Sequence, residues 1–455
     1  METPSRFRSR LLLALPVILL LLLALLRVGA VPDVEIEPAL PGIGPRTPVA
    51  VRVTTSGRGL GRLAFELLQE DRTELLAERV FEPRPFWAFW GARVVEATVD
   101  LEVGSETVSG LREGEATLRV TAERAPTWLR HPDPAVAERE LPVRLKPPRL
   151  EVTSRQNNLS QGGSGVVTYK VGEGSVRDGV RSGERFFPGC PSPDGDRFAI
   201  FAAPHDLDDG SGFRLMAADE LGNRAESTFL DGYRPRPLRT DTIRLDDVFM
   251  ARVVPEILAH SPALGDRGEL LANYLAVNGD LRTENAAALV ELSKRSRPRI
   301  LWRQRFLQQP DNRVMAAFAE RRTYLYQDRE VDRQDHLGFD LASVRRAPVE
   351  AANDGIVRMA EYFGIYGNTV VLDHGCGLAS LYAHLSSIGV EEGQQVSRGD
   401  VLGRSGETGL AGGDHLHYSM LVHGVQVDPL EWWDGRWIRD HVAAKLGAEA
   451  FELDD

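Results

Sequence analysis

The chain has 455 residues, with 54 Lys plus Arg against 66 Asp plus Glu and a formal net charge of −12. That length predicts several domains, and the acidic balance argues against a nucleic-acid partner, which usually needs a basic surface. The cysteines, Cys190 and Cys376, are too few for a disulfide-dense scaffold or a four-thiolate zinc site. Two buried, unpaired thiols are the expectation; one long-range disulfide in an oxidising compartment is the alternative. Any metal must then be held by His and carboxylate.

Arg6, Arg8 and Arg10 precede an apolar run from Leu11 to Leu26. A positive flank before an apolar core is the pattern of an export signal. The run spans roughly 24 Å as a helix, short of a hydrocarbon core of about 30 Å, and Arg27 can snorkel to extend it. The reading is a signal anchor over residues 1–31 with the rest of the chain exported. Cleavage near Val28-Gly29-Ala30 is the alternative.

Residues 32–146 read as a β-sandwich-like module. Val49 to Thr55 alternates apolar and polar residues, and Leu63 to Leu68, Val94 to Val99 and Ala116 to Ala122 follow at sandwich spacing. Phe86, Trp87, Phe89 and Trp90 form an aromatic knot, read as core or an inter-module contact. Lys146-Pro147-Pro148 reads as a linker. Residues 147–240 form a second β-module, including strands at Arg197–Ala203 and Phe213–Asp219. Gln161 to Gly165 lacks the Lys-Ser/Thr of a phosphate loop and reads as a turn. His205, Asp206, Asp208 and Asp209 lack the ligand order of a calcium loop and read as a solvated acidic loop. Both modules fit immunoglobulin-like sandwiches.

Residues 241–310 read as a connector of two or three helices, because strand alternation is lost from Asp241 onward. Leu270, Leu271, Tyr274 and Leu275, then Ala286, Leu289, Val290 and Leu292, have helical spacing. Such helices could shield a groove in the domain that follows, which makes latency testable; tethering is the simpler role. Residues 311–440 return to short strands and turns, an antiparallel β-domain, and 441–455 form a tail.

This β-domain holds the chemistry. His415 and His417, two apart on a strand, share a face. His336 and Asp340 share a face in an extended segment, which Gly338 favours. His384 follows Ser380 and Tyr382 on one face. Four histidines and a carboxylate from three segments can converge on one groove, a combination suited to a metal and to acid–base work.

The segment resembles the M23 family of zinc metallopeptidases, the LytM/lysostaphin type acting on peptidoglycan. The family's His-x-x-x-Asp matches His336 and Asp340, its His-x-His matches His415 and His417, and its further histidine matches His384. The flanks agree at Gly367 to Gly375, Gly409 to Gly413 and Val427-Asp428-Pro429; Leu337 stands where the family often has Pro. The resemblance covers the last quarter to third of the chain. It implies one zinc ion held by His336, Asp340 and His417, with an open position flanked by His384 and His415. His415 would be the general base, and His384 would orient or stabilise the oxyanion; the two roles could be exchanged. His374 and His423 fall outside the motifs and read as surface or turn residues. Arg345 and Arg346 either engage acidic stem-peptide carboxylates or are solvated.

The fold expected is mainly β: an antiparallel M23-type peptidase domain behind a helical connector and two immunoglobulin-like modules. The function implied is a zinc endopeptidase cutting peptide cross-links of peptidoglycan. The alternative is a non-enzymatic regulator or scaffold that activates a wall amidase, against which the complete ligand set argues. The implied partners are peptidoglycan stem peptides, the bacterial inner membrane through the N-terminal segment, and an envelope protein for the β-modules. The implied place is the periplasmic side of that membrane, or the periplasm itself after cleavage.

Overall fold

A computed structural model describes residues 15–19, 30–82, 92–126, 132–192 and 195–453. Most of the apolar run at Leu11–Leu26 and the aromatic knot at Phe86–Trp90 lie outside the described residues. Among the described residues no helix is long and apolar enough to cross a membrane. The chain is mainly β and divides into two compact units. One comprises residues up to Pro148 with the short segments Gly174–Val176 and Ala218–Arg224; the other holds the remainder, through Asp455.

The first unit is built from a three-stranded sheet and a four-stranded sheet, both antiparallel. Strand Thr47–Thr54 buries Val49, Val51 and Val53 and turns its alternate residues outward. That alternation is what period-2 patterning demands of a strand with one buried face. Val49, Val51, Phe65, Leu118 and Val120 share the core.

The second unit is organised around an eight-stranded sheet. Its central order is Phe339–Ala342, Leu416–Val422, Leu378–Ala383, Asn368–Gly375 and Gly355–Tyr362, all antiparallel. The two faces of the sheet pack differently. Leu416, Tyr418, Met420 and Val422 join Phe198, Phe201, Trp302 and Trp432 in one core. Leu421, on the alternate face of the same strand, joins Val371, Leu381 and Ala383 in a second core with Met250, Val254, Ile257 and Tyr274 of the helices. The strands of residues 149–217 therefore pack in one core with one face of the sheet, and helices Asp247–His260 and Leu270–Ala276 cover the other.

Three expectations need correction. The cysteines are not free thiols: Cys190 and Cys376 form a disulfide, their Cα atoms 5.8 Å apart. Burial alone does not distinguish a thiol from a disulfide, and a pairing across 186 residues leaves no local signature. Strand alternation is not lost at Asp241. Thr240–Leu245 is a strand parallel to Glu320–Tyr326, with Ile243 and Leu245 as its apolar positions, and the helix begins at Asp247. His374 is not a surface residue. It is fully buried, with Nδ1 2.7 Å from Asp354 O and Nε2 2.7 Å from Ser380 Oγ.

Candidate metal centre

Four strands or strand ends deliver the site. His336 closes strand Arg329–His336. Leu337-Gly338 turns the chain into strand Phe339–Ala342, where Asp340 lies opposite His417 of Leu416–Val422. Ala383, the last residue of the next strand, pairs with His417 on its other side. His384 then adopts a φ of 60°, a left-handed conformation costly for a residue with a Cβ and concentrated at functional sites. His415 is two residues before His417 and bridges to Gly406. Gly338 is required where it stands: a Cβ there would lie 2.6 Å from the His417 ring and from Ser419 Oγ.

The hydrogen bonds fix which ring nitrogens carry protons. His336 Nδ1 donates to Ala317 O at 3.1 Å, so its Nε2 is a lone pair. Ser419 Oγ donates to Leu337 O and lies 3.1 Å from His417 Nε2. Having spent its proton, that hydroxyl accepts from His417 Nε2, which leaves Nδ1 of His417 as a lone pair. These two nitrogens lie 3.1 Å apart, and each is 2.9–3.0 Å from Asp340 Oδ1. Three lone-pair atoms therefore form a tight triangle, largely shielded from water. A proton satisfies one pair of them; a cation satisfies all three. Tetrahedral zinc, with bonds of about 2.0–2.2 Å, needs a triangle only a few tenths of an ångström wider. The residues fit a divalent metal with an imidazole–carboxylate preference.

The two remaining histidines are oriented by the same device. His384 Nδ1 donates to Thr408 O at 2.8 Å, and His415 Nδ1 donates to Gly413 O at 2.7 Å. Both present Nε2, and their ring centroids are 4.9 Å apart. His415 Nε2 lies 3.4 Å from Asp340 Oδ1. Burial, reinforced by His415 and His417, holds the His384 imidazole well below its ordinary range. Burial also lowers His417, to about 4. At His415 burial pulls the same way, but the bond to Asp340 outweighs it and the pKa rises. Burial opposes ionisation of Asp340, yet its histidine neighbours hold that carboxyl well below the ordinary carboxylate range.

All five residues singled out from the sequence thus converge, three at one point and two beside it. Arg346 donates its backbone N–H to Asp414 Oδ2, and Arg345 is exposed, 3.8 Å from Glu407. His423 is half-buried in the turn after Leu416–Val422. The acidic residues Asp206, Asp208 and Asp209 are exposed, as a solvated loop requires, while His205 Nε2 lies 2.9 Å from Asp335 and Asp208 accepts from Gln161.

The orienting residues escaped the sequence reading. Ser419 was legible in principle, since it shares a strand face with His417. Gln426, which donates to Leu337 O and to Ser419 Oγ, reaches the site through the hairpin partner strand Val425–Val427. Arg322, 3.1 Å from Asp340 Oδ2, carries no spacing signal.

Comparison with known proteins agrees with this geometry. Residues 334–429 match peptidase family M23. Over 166 residues the chain is 33% identical to peptidoglycan DD-endopeptidase ShyA of Vibrio cholerae serotype O1, covering 36% of this chain and 36% of that protein. Over 95 residues it is 41% identical to DD-carboxypeptidase/endopeptidase Mpg of Neisseria meningitidis serogroup B, covering 21% of this chain and 22% of that protein. The chain thus spans about a third or less of the length of these relatives. A crystal structure of a putative peptidase M23 from Pseudomonas aeruginosa aligns over 60% of this chain and 94% of that one, at 23% identity and a TM-score of 0.38. The segment that carries all five site residues is an M23 peptidase domain.

Proposed function

We propose that the chain is a zinc-dependent endopeptidase that hydrolyses peptide cross-links of peptidoglycan. The observation that carries the reading is the triangle of His336 Nε2, Asp340 Oδ1 and His417 Nδ1, whose three lone pairs need a shared cation. A bound zinc ion supplies Lewis acidity and makes water a usable nucleophile near neutral pH. The chain's own residues do the rest. The carbonyls of Thr408 and Gly413 lock the Nδ1 protons of His384 and His415, so each ring moves protons through Nε2 alone. His415 Nε2 would take the proton from the attacking water and return it to the leaving amine nitrogen as the C–N bond breaks, with His384, across the same opening, facing the developing tetrahedral oxygen. Burial keeps both rings away from bulk water, which strengthens each polar contact made there.

The substrate class follows from the relatives, whose names specify DD-endopeptidase activity on peptidoglycan; a D,D cross-link is the corresponding bond here. We further infer that the chain is exported and held at the inner membrane by residues 1–31. The Cys190–Cys376 disulfide supports export, because such bonds persist in oxidising compartments.

The test is digestion of purified, cross-linked peptidoglycan with zinc-loaded protein, followed by mass analysis of the released muropeptides. Conversion of cross-linked dimers to monomers is expected. Protein that binds one zinc per chain and leaves the cross-links intact would sink the enzyme reading.

A further inference from the structure

The two oxygens of Asp340 have different neighbours. Oδ1 faces His336, His417 and His415, at 2.9, 3.0 and 3.4 Å. Oδ2 faces Arg322, whose Nη2 donates to it at 3.1 Å. Arg322 comes from outside the matched family segment, on strand Glu320–Tyr326, which pairs antiparallel with the strand that ends at His336. In that register Glu320 lies opposite His336 and Arg322 opposite Gln334. Residues two apart share a face, so Arg322 sits diagonally beside His336 on the side that looks into the site. Its side chain is 18% exposed, and its other acidic neighbour, Glu320, is more distant, at 3.5 Å.

A half-buried guanidinium beside a cation site needs a reason. By charge alone it repels a metal and weakens binding. What it can supply is control of the carboxylate. Carboxylates bind metals through one oxygen or through two. Two oxygens from Asp340 with two imidazoles would fill four positions and leave none open for water, which a catalytic site requires. A charge-assisted hydrogen bond is roughly twice as strong as a neutral one, and here it is spent on the oxygen turned away from the histidines.

We propose that Arg322 is a positioning residue that confines Asp340 to ligation through Oδ1 alone and so keeps a coordination position open. The proposal rests on the zinc reading above. It predicts that Arg322 sets metal affinity and the ligand set without touching substrate.

The experiment compares wild-type protein with Arg322→Gln and Arg322→Lys. Zinc affinity is measured by competition with a chelator, coordination by the visible absorption of the cobalt-substituted protein, and kcat and KM on a cross-linked muropeptide. Loss of a hydrogen bond to a ligating group typically changes affinity or activity 10–100-fold. Arg322→Gln removes the repulsion and frees Oδ2, so it should tighten zinc binding and lower kcat on that scale, leave KM within about threefold, and change the cobalt spectrum as a second carboxylate oxygen takes the place of water. Arg322→Lys, which keeps a cationic donor, should recover part of the kcat. Wild-type zinc affinity and a wild-type cobalt spectrum in Arg322→Gln overturn the proposal. Should that variant not fold, a crystal structure of zinc-loaded wild-type protein decides. Asp340 bound through one oxygen, with Oδ2 on Arg322, supports the role; both oxygens on zinc overturn it. Wild-type protein that binds no stoichiometric zinc defeats the earlier functional reading instead, which keeps the two failures distinct.

Discussion

His336 Nε2 and His417 Nδ1 face each other across 3.1 Å, and each ring has its one proton committed elsewhere, to Ala317 O and to Ser419 Oγ. Two lone pairs at that distance, with Asp340 Oδ1 beside both, repel unless a cation joins them. Zinc should therefore stabilise the fold as well as enable catalysis. At free zinc 100-fold above its Kd, linkage gives about 2.7 kcal/mol. Thermal melts with zinc and after chelation check this. His336→Ala, Asp340→Ala and His417→Ala should each abolish both the zinc-dependent shift and hydrolysis. A chelated protein that melts at the same temperature as the zinc-loaded one contradicts the argument.

His384 and His415 should separate from the ligands in the same assay. Neither belongs to the lone-pair triangle, so His384→Ala and His415→Ala should still bind one zinc per chain. Their loss removes a positioned acid or base, an effect of roughly 10²–10⁴-fold in rate. Metal content by elemental analysis, set beside kcat, distinguishes the classes. Loss of zinc in either variant would reassign that residue to the metal.

Gly338 tests the packing behind the ligands. A methyl group there would meet the His417 ring at 2.6 Å, closer than two carbon atoms approach. Gly338→Ala must displace the ring, the backbone of Leu337, or both. A misplacement near 1 Å can cost on the order of 10²-fold in rate. The expected result is a soluble protein with weakened zinc binding and activity down by about that factor. Wild-type kinetics would show that the turn relaxes without moving His417.

The site was legible because its chemistry is written in short spacings. His415 and His417 share a strand face by period 2, and both residues of the His336–Asp340 pair are metal-type. Even there the local picture was incomplete, since His336 and Asp340 occupy two strands joined at Gly338 rather than one extended run. What stayed hidden depends on pairing between strands. Arg322 reaches Asp340 only because Glu320–Tyr326 lies beside the His336 strand. Thr240–Leu245 was missed for a similar reason: a short parallel strand shows its role only beside its partner. His374 was misread because the depth of Asn368–Gly375 in the sheet is a property of its neighbours.

The disulfide is a second hidden long-range feature, and it should carry measurable stability. It closes a loop of 186 residues between the β-module of residues 149–217 and the turn at Cys376. Loss of such a crosslink typically costs about 2–5 kcal/mol. Cys376→Ser, or reduction of the wild type, should lower the urea midpoint accordingly. Midpoints equal within error would mean that the shared core of Phe198, Trp302 and Trp432 holds these elements together without it.

His374 gives a pH prediction with a definite sign. It is fully buried, its Nδ1 donates to Asp354 O, and its Nε2 lies 2.7 Å from Ser380 Oγ. Each ring nitrogen thus has a polar neighbour. A second proton would place a charge in a fully buried site, and burial, outweighing the nearby Asp373 and Asp354, lowers the pKa from 6.5 to about 4. A depressed folded-state pKa means that the unfolded chain binds the proton more tightly. The stabilising contribution is therefore complete above the unfolded value near 6.5 and is lost as the pH falls toward 4. The shift corresponds to roughly 3 kcal/mol. His374→Gln, which cannot titrate, should be less stable than wild type at pH 7.5, and the gap should narrow steadily below pH 6.5. Chelator-treated samples keep the metal-site histidines in one state of loading in both proteins. A gap that stays constant from pH 7.5 to pH 4.5 would show that His374 does not carry this part of the acid sensitivity.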